Sequence, residues 1–245
     1  MRPFDAHVHI GHWTLPDFAG QGSTFDQAVQ IYHRWSYSGF LAFPTDAEDG
    51  GALLQKAASY RGPLDIRVGF WARPEDATNL LEFERSASSY AVLKLHPSIQ
   101  RIPATDPQYE PYLEIAESQS MPVVIHCGRW QEMAGYKLSL EVAGRHPKLP
   151  IVLAHMGGDS PHLVQGTVDA ILEQKLDNAY LGTESIREPW LLSQAVDRLG
   201  SSRLIFGSDY NLNHPEPFRR LIEVLDITDA QRDNIFRHNI ESLVR

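Results

Sequence analysis

The sequence predicts an α/β protein of the (β/α)8 TIM-barrel type. Eight short apolar runs recur along the chain, starting at residues 4, 38, 64, 91, 122, 150, 179 and 203. Helix-like stretches separate them, as the right-handed βαβ units of a parallel sheet require. The chain has 245 residues, close to the ~250 typical of eight such units closed into a barrel. An open doubly wound sheet is the runner-up, but eight regular units favour closure.

The runs are FDAHVHI (4–10), SGFLAFP (38–44), LDIRVGF (64–70), AVLKLHP (91–97), PVVIHCG (122–128), PIVLAHM (150–156), AYLGTES (179–185) and RLIFGSD (203–209). Most are rich in Val, Ile, Leu or Phe and flanked by Gly, Pro or a polar turn, the pattern of strands buried on both faces. The stretch 11–23 is irregular and reads as a loop. Residues 107–120 place Tyr109, Tyr112, Leu113 and Ile115 on an apolar helix face, with Asp106 as N-cap and Pro107 near the start. Helices are also expected over 136–147, ended by Pro147, over 159–175, and over 188–200, stopped by Gly200. A closing helix is expected after Thr228 or Asp229. No linker interrupts the pattern, so the expectation is a single domain over 1–245.

Lys and Arg number 22 against 31 Asp and Glu, a net charge of −9, so neither nucleic acid nor an anionic membrane is an expected partner. Hydrophobic residues are 42% and charged residues 22%, ordinary globular values that exclude general disorder. One Cys excludes a disulfide framework and a Cys-rich zinc module. No apolar run reaches the ~20 residues of a membrane helix, and the first residues are too polar for a signal-peptide core. The expected setting is a reducing cytoplasm.

Active sites of such barrels lie at the C-terminal ends of the strands. There the sequence places His7 and His9, Lys94 and His96, His126, His155 and Asp209. His7-Val8-His9 has the period of a strand, so both imidazoles share one side and form half of a metal site. By the same alternation Asp5 shares that side and is placed to orient a ligand. His126 and His155 taken singly read as structural residues at strand ends. Asp209 is harder to dismiss, because a carboxylate at the inner end of an apolar strand is costly unless paired or metal-bound. Together His7, His9, His126 and Asp209 offer three imidazoles and one carboxylate. That set suits Zn²⁺ and is tolerated by Mn²⁺ or Fe²⁺.

DAHVHIG, LKLHPSIQRIPATDP, PVVIHCG, IVLAHMGG and LIFGSDY, with Asn239 in the closing helix, resemble in order the landmarks of the amidohydrolase superfamily. The resemblance is to the amidohydrolase-related group that includes aminocarboxymuconate semialdehyde decarboxylase, and it covers nearly the whole chain. It implies a distorted barrel of the metallo-dependent hydrolase type holding one or two divalent ions, with His7, His9, His126 and Asp209 as ligands. His155 corresponds to a second-metal ligand in binuclear members or to a catalytic His in mononuclear ones. Lys94 falls where binuclear members carry a carboxylated Lys. Its other reading is a Lys paired with Asp209 or with a substrate carboxylate, and one metal is placed ahead of two.

The expected chemistry is hydrolysis of a small amide, ester or lactone by metal-activated water, with Asp209 moving the proton and His155 on the substrate carbonyl. The same ligands serve a decarboxylase, a carbon–carbon lyase acting on a small aromatic or dienoic acid. A non-catalytic metal-binding barrel is the rival class. Arg129, Trp13 and His96 are candidate substrate contacts, with His96 equally readable as a cap of its turn. Glu184 reads more readily as a solvated loop residue than as a support of the site. Cys127 is expected to point away from the metal as a buried thiol. No GxSxG elbow, P-loop, GxGxxG or HExxH offers another mechanism. The expected partner is a small-molecule substrate, and a homodimer is an open expectation.

Overall fold

The computed structural model describes residues 1–128 and 130–244. Each of the eight apolar runs is a strand: β1 (Phe4–His12), β3 (Gly39–Pro44), β4 (Asp65–Trp71), β5 (Val92–Leu95), β6 (Val123–Ile125), β7 (Ile151–Leu153), β8 (Ala179–Gly182) and β9 (Leu204–Ile205). They pair in parallel in the order β1-β3-β4-β5-β6-β7-β8-β9. A further two-residue strand, β2 (Gly22–Ser23), pairs antiparallel with the end of β1. It lies in the stretch read as a loop, where no apolar pattern marks it.

Closure between β9 and β1 is irregular, which makes this a distorted barrel. Ala6 N–H donates to the Phe206 carbonyl at 2.9 Å and Asp209 N–H to the His7 carbonyl at 3.0 Å. A single bridge joins Val8 to Tyr210. The inner cluster contains Phe4, Ala6, Leu41, Phe43, Val92, Val124, Val152, Ala154 and Ile205, joined by Ile240 from the closing helix and Val244 just after it. Asn239 anchors that helix by donating to the carbonyls of Ser201 and Leu204, each at 2.7 Å.

Of the two expected caps of the closing helix, Thr228 serves, in a capping box with Gln231; Thr24 forms a second capping box with Gln27. Gly200 ends the helix Pro189–Leu199 at φ +84°, a conformation glycine adopts without steric cost. Two helices are more broken than their periodicity implies. Asp106 caps a 3₁₀ turn, Pro107–Tyr109, before the α-helix Glu110–Ser118. The closing helix is split by a π-turn at Asn234–His238.

One irregularity positions the site. On β1, Asp5 pairs with Phe40 and Val8 with Ala42, so Ala6 and His7 together face the single residue Leu41. This β-bulge inverts the alternation. Before it, Phe4 and Ala6 point into the barrel; after it, Val8 and Ile10 face the helix layer, and His7 and His9 face inward. Asp5 therefore does not share the side of His7 and His9. It faces outward, where Tyr32 of the helix Phe25–Arg34 donates to Oδ2 at 2.7 Å. Its Oδ1 accepts the backbone N–H groups of His7 and Ser208 at 3.1 and 3.0 Å, so it fastens the barrel seam.

Candidate metal centre

His7, His9 and Asp209, carried by β1 and by the turn after β9, meet at the C-terminal mouth. His7 Nε2 and His9 Nε2 lie 3.9 and 3.5 Å from Asp209 Oδ1, and one donor atom from each lies within 4.8 Å of the others. Two ligands ~2.1 Å from one ion at a tetrahedral angle are ~3.4 Å apart, so the group fits a divalent metal with little movement. Asp209 sits at φ +63° in the left-handed region, which Asp tolerates better than most residues. That turn aims its carboxylate at the histidines. Ser185 Oγ donates to Asp209 Oδ2 at 3.3 Å and accepts from Asn213 Nδ2 at 3.1 Å, which leaves Oδ1 for the ligand side.

Burial sets the charge states. It drives the His7 imidazole down to about 4, with Lys94 adding to the effect, and burial likewise lowers His9, His126 and His96. These rings are neutral near pH 7 and keep a lone pair for a metal. Burial alone would raise Asp209, but the hydrogen bond to His9 and the nearby His155 and His7 outweigh it and hold the carboxyl below its usual range.

His126, the fourth ligand implied by resemblance, lies outside that group of three. Its Nδ1 faces His155 Nε2 at 3.2 Å, a separation that either a hydrogen bond or a shared ion produces. Its ring stacks on His96 at 3.9 Å and 14°. His96 caps its turn, its Nδ1 accepting the Ile99 N–H at 3.4 Å, while its ring lies against His126 and Trp71. Lys94 is buried, and its Nζ donates to His7 Nε2 at 3.1 Å. Among the described residues no carboxylate forms an ion pair with it, so the reading of Lys94 paired with Asp209 is corrected. Burial lowers its ammonium to about 8.

Trp13 packs edge-on against His9 at 5.0 Å and donates from Nε1 to Asn211 Oδ1 at 2.9 Å, so it walls the ligand side of β1. Arg129 lies outside the described residues. Cys127 is buried beside Ser139, and burial pushes its thiol up to about 12, which leaves it inert near neutral pH.

Sequence reasoning misplaced Glu184. It is 1% exposed, not solvated. It accepts from His7 Nδ1 at 3.1 Å and from the His155 N–H at 3.0 Å. Burial opposes its ionisation, but His7 and the His155 contacts prevail and keep it a carboxylate. The signal that could have found it is the pair Gly182 and Gly207 at neighbouring strand ends, where an added Cβ would come under 3.0 Å from the Glu184 side chain.

The amidohydrolase family model matches residues 4–245. The chain belongs to the amidohydrolase family. No curated protein sequence matches it. The amidohydrolase barrel is shared with solved structures of low identity. The 2,6-dihydroxybenzoate decarboxylase from Rhizobium is 14% identical over 99% of this chain and 98% of its own, with a TM-score of 0.76. A dihydroxybenzoic acid decarboxylase from Polaromonas sp. JS666, with bound manganese and the inhibitor 2-nitroresorcinol, is 16% identical over 99% and 96%, at 0.72. A Pseudomonas putida protein provisionally named a 2-pyrone-4,6-dicarboxylic acid hydrolase is 18% identical over 99% and 97%, at 0.72. At these identities the likeness establishes the fold alone, and the chemistry of this amidohydrolase is argued from its own residues.

Proposed function

We propose that this amidohydrolase is a metal-dependent hydrolase of a small amide, ester or lactone. The observation that carries the reading is the approach of His7 Nε2, His9 Nε2 and Asp209 Oδ1 at one mouth. A divalent ion bound there would acidify a water and polarise a substrate oxygen. Zn²⁺ is favoured by two imidazoles and a carboxylate, and Mn²⁺ or Fe²⁺ fit the same donors.

In this reading Asp209 takes the proton from the attacking water and returns it to the leaving group, with Ser185 fixing the carboxylate. His155 holds the substrate carbonyl oxygen as charge develops. His126 closes the ligand set by turning from His155. Trp13 and His96 line the substrate side, and Arg129 is the proposed contact for a substrate carboxylate. One ion is proposed. Lys94, His126 and His155 are the groups that would hold a second, with Lys94 as its carbamate. Lys94→Ala separates the two cases: an unchanged metal-to-protein ratio supports one ion, and a ratio falling by half contradicts it.

A second reading, decarboxylation of a small aromatic or dienoic acid, is favoured by the decarboxylases among the structural neighbours. The test is to incubate the Zn²⁺-loaded protein with lactones, esters and amides, and separately with aromatic and dienoic acids while CO₂ is followed. Hydrolysis without CO₂ release supports the first reading; CO₂ release without hydrolysis replaces it with the second. Asp209→Asn should lower turnover ~10²–10⁴-fold while the fold persists. Full activity in that variant contradicts the proton role. The partner is proposed to be a small molecule and the protein a cytoplasmic homodimer, and no described helix is long and apolar enough to cross a membrane.

A further inference from the structure

The proposed reaction gives no role to Glu184, a buried carboxylate at the mouth. Its one carboxylate joins β1 to the turn after β7, through His7 Nδ1 at 3.1 Å and the His155 N–H at 3.0 Å. A carboxylate only accepts hydrogen bonds, so the proton of neutral His7 sits on Nδ1. The other edge of the ring agrees, because Lys94 Nζ is a donor and lies 3.1 Å from His7 Nε2. His7 therefore turns a bare Nε2 toward His9 and Asp209, as a metal ligand must. Charge points the same way. Glu184 is a buried carboxylate in direct contact with His7. It offsets part of the charge of a divalent ion.

We propose that Glu184 is a positioning residue of the metal centre: it fixes His7 in the Nδ1–H tautomer and so sets the affinity of the His7–His9–Asp209 group for a divalent ion. The proposal rests on the metal-site reading above, and neither of its tests uses turnover. The first is chelator competition for Zn²⁺ with the wild-type chain and with Glu184→Gln, which keeps side-chain size and removes the charge. The expected result is ~10–100-fold weaker Zn²⁺ binding by the variant, beyond any change in metal-free melting temperature. Wild-type affinity in the variant overturns the proposal, and so does a loss of metal-free stability without a loss of affinity. A wild-type chain that binds no Zn²⁺ instead overturns the site reading beneath it. The second test needs no variant and stands if Glu184→Gln fails to fold. Nitrogen NMR of the metal-free wild-type chain should show His7 protonated at Nδ1 and bare at Nε2, and the opposite tautomer overturns the proposal.

Discussion

At residue 207 the absence of a side chain makes room for one from the turn after β8. A Cβ there would come under 3.0 Å from Oε1, Cγ and Cδ of Glu184, so the whole carboxylate arm would have to move. Gly207 is needed for space, since its φ is not in the left-handed region. Gly207→Ala should cost about 1–3 kcal/mol in urea unfolding, the usual penalty for overpacking, and should weaken Zn²⁺ binding as well. Unchanged stability and affinity would show that Glu184 has room to shift. The same interior keeps His7 and His9 neutral through desolvation, so each ring is a ligand rather than a cation. The histidines were legible in the sequence because polar residues at the ends of apolar runs stand out. Glu184 was not, because its partner His7 lies 177 residues away and its own run ends in polar residues.

Among the elements, β1 departs furthest from its sequence pattern. Simple alternation puts Asp5, His7 and His9 on one face, and the bulge at Ala6–His7 breaks that rule with one extra residue. Nothing in the composition of the strand marks the bulge, whereas the capping boxes and the Gly200 stop depend on local residues and could be read directly. The bulge releases Asp5 to serve the seam, where it accepts from two buried backbone N–H groups and from Tyr32. Asp5→Ala leaves those donors without a partner and should cost about 2–5 kcal/mol in equilibrium unfolding. Tyr32→Phe removes the hydroxyl that donates to Asp5 and also meets Ser208 Oγ at 3.3 Å, and should cost about 1–2 kcal/mol. A loss below 1 kcal/mol for Asp5→Ala would contradict the seam role.

Across the whole molecule, the period of the apolar runs was enough to reveal all eight parallel strands, because strands buried on both faces are read by hydrophobicity alone. The distortion was legible only through the family resemblance, because the irregular closure depends on single hydrogen bonds between β1 and the segment after β9. Those bonds bring His7 and His9 to Asp209, so closing the barrel and assembling the ligand group are one event. A ligand that binds only the folded state stabilises it. Zn²⁺ should therefore raise the melting temperature of the wild-type chain, and the rise should vanish in His9→Ala.

The central claim is that residues from the two ends of the chain share one ion. Anomalous scattering at the metal edge, from crystals of protein purified without chelator, tests it most directly. The account predicts a peak within coordination distance of His7 Nε2, His9 Nε2 and Asp209. A metal-loaded crystal with no peak there, or with its ion bound elsewhere, would contradict it.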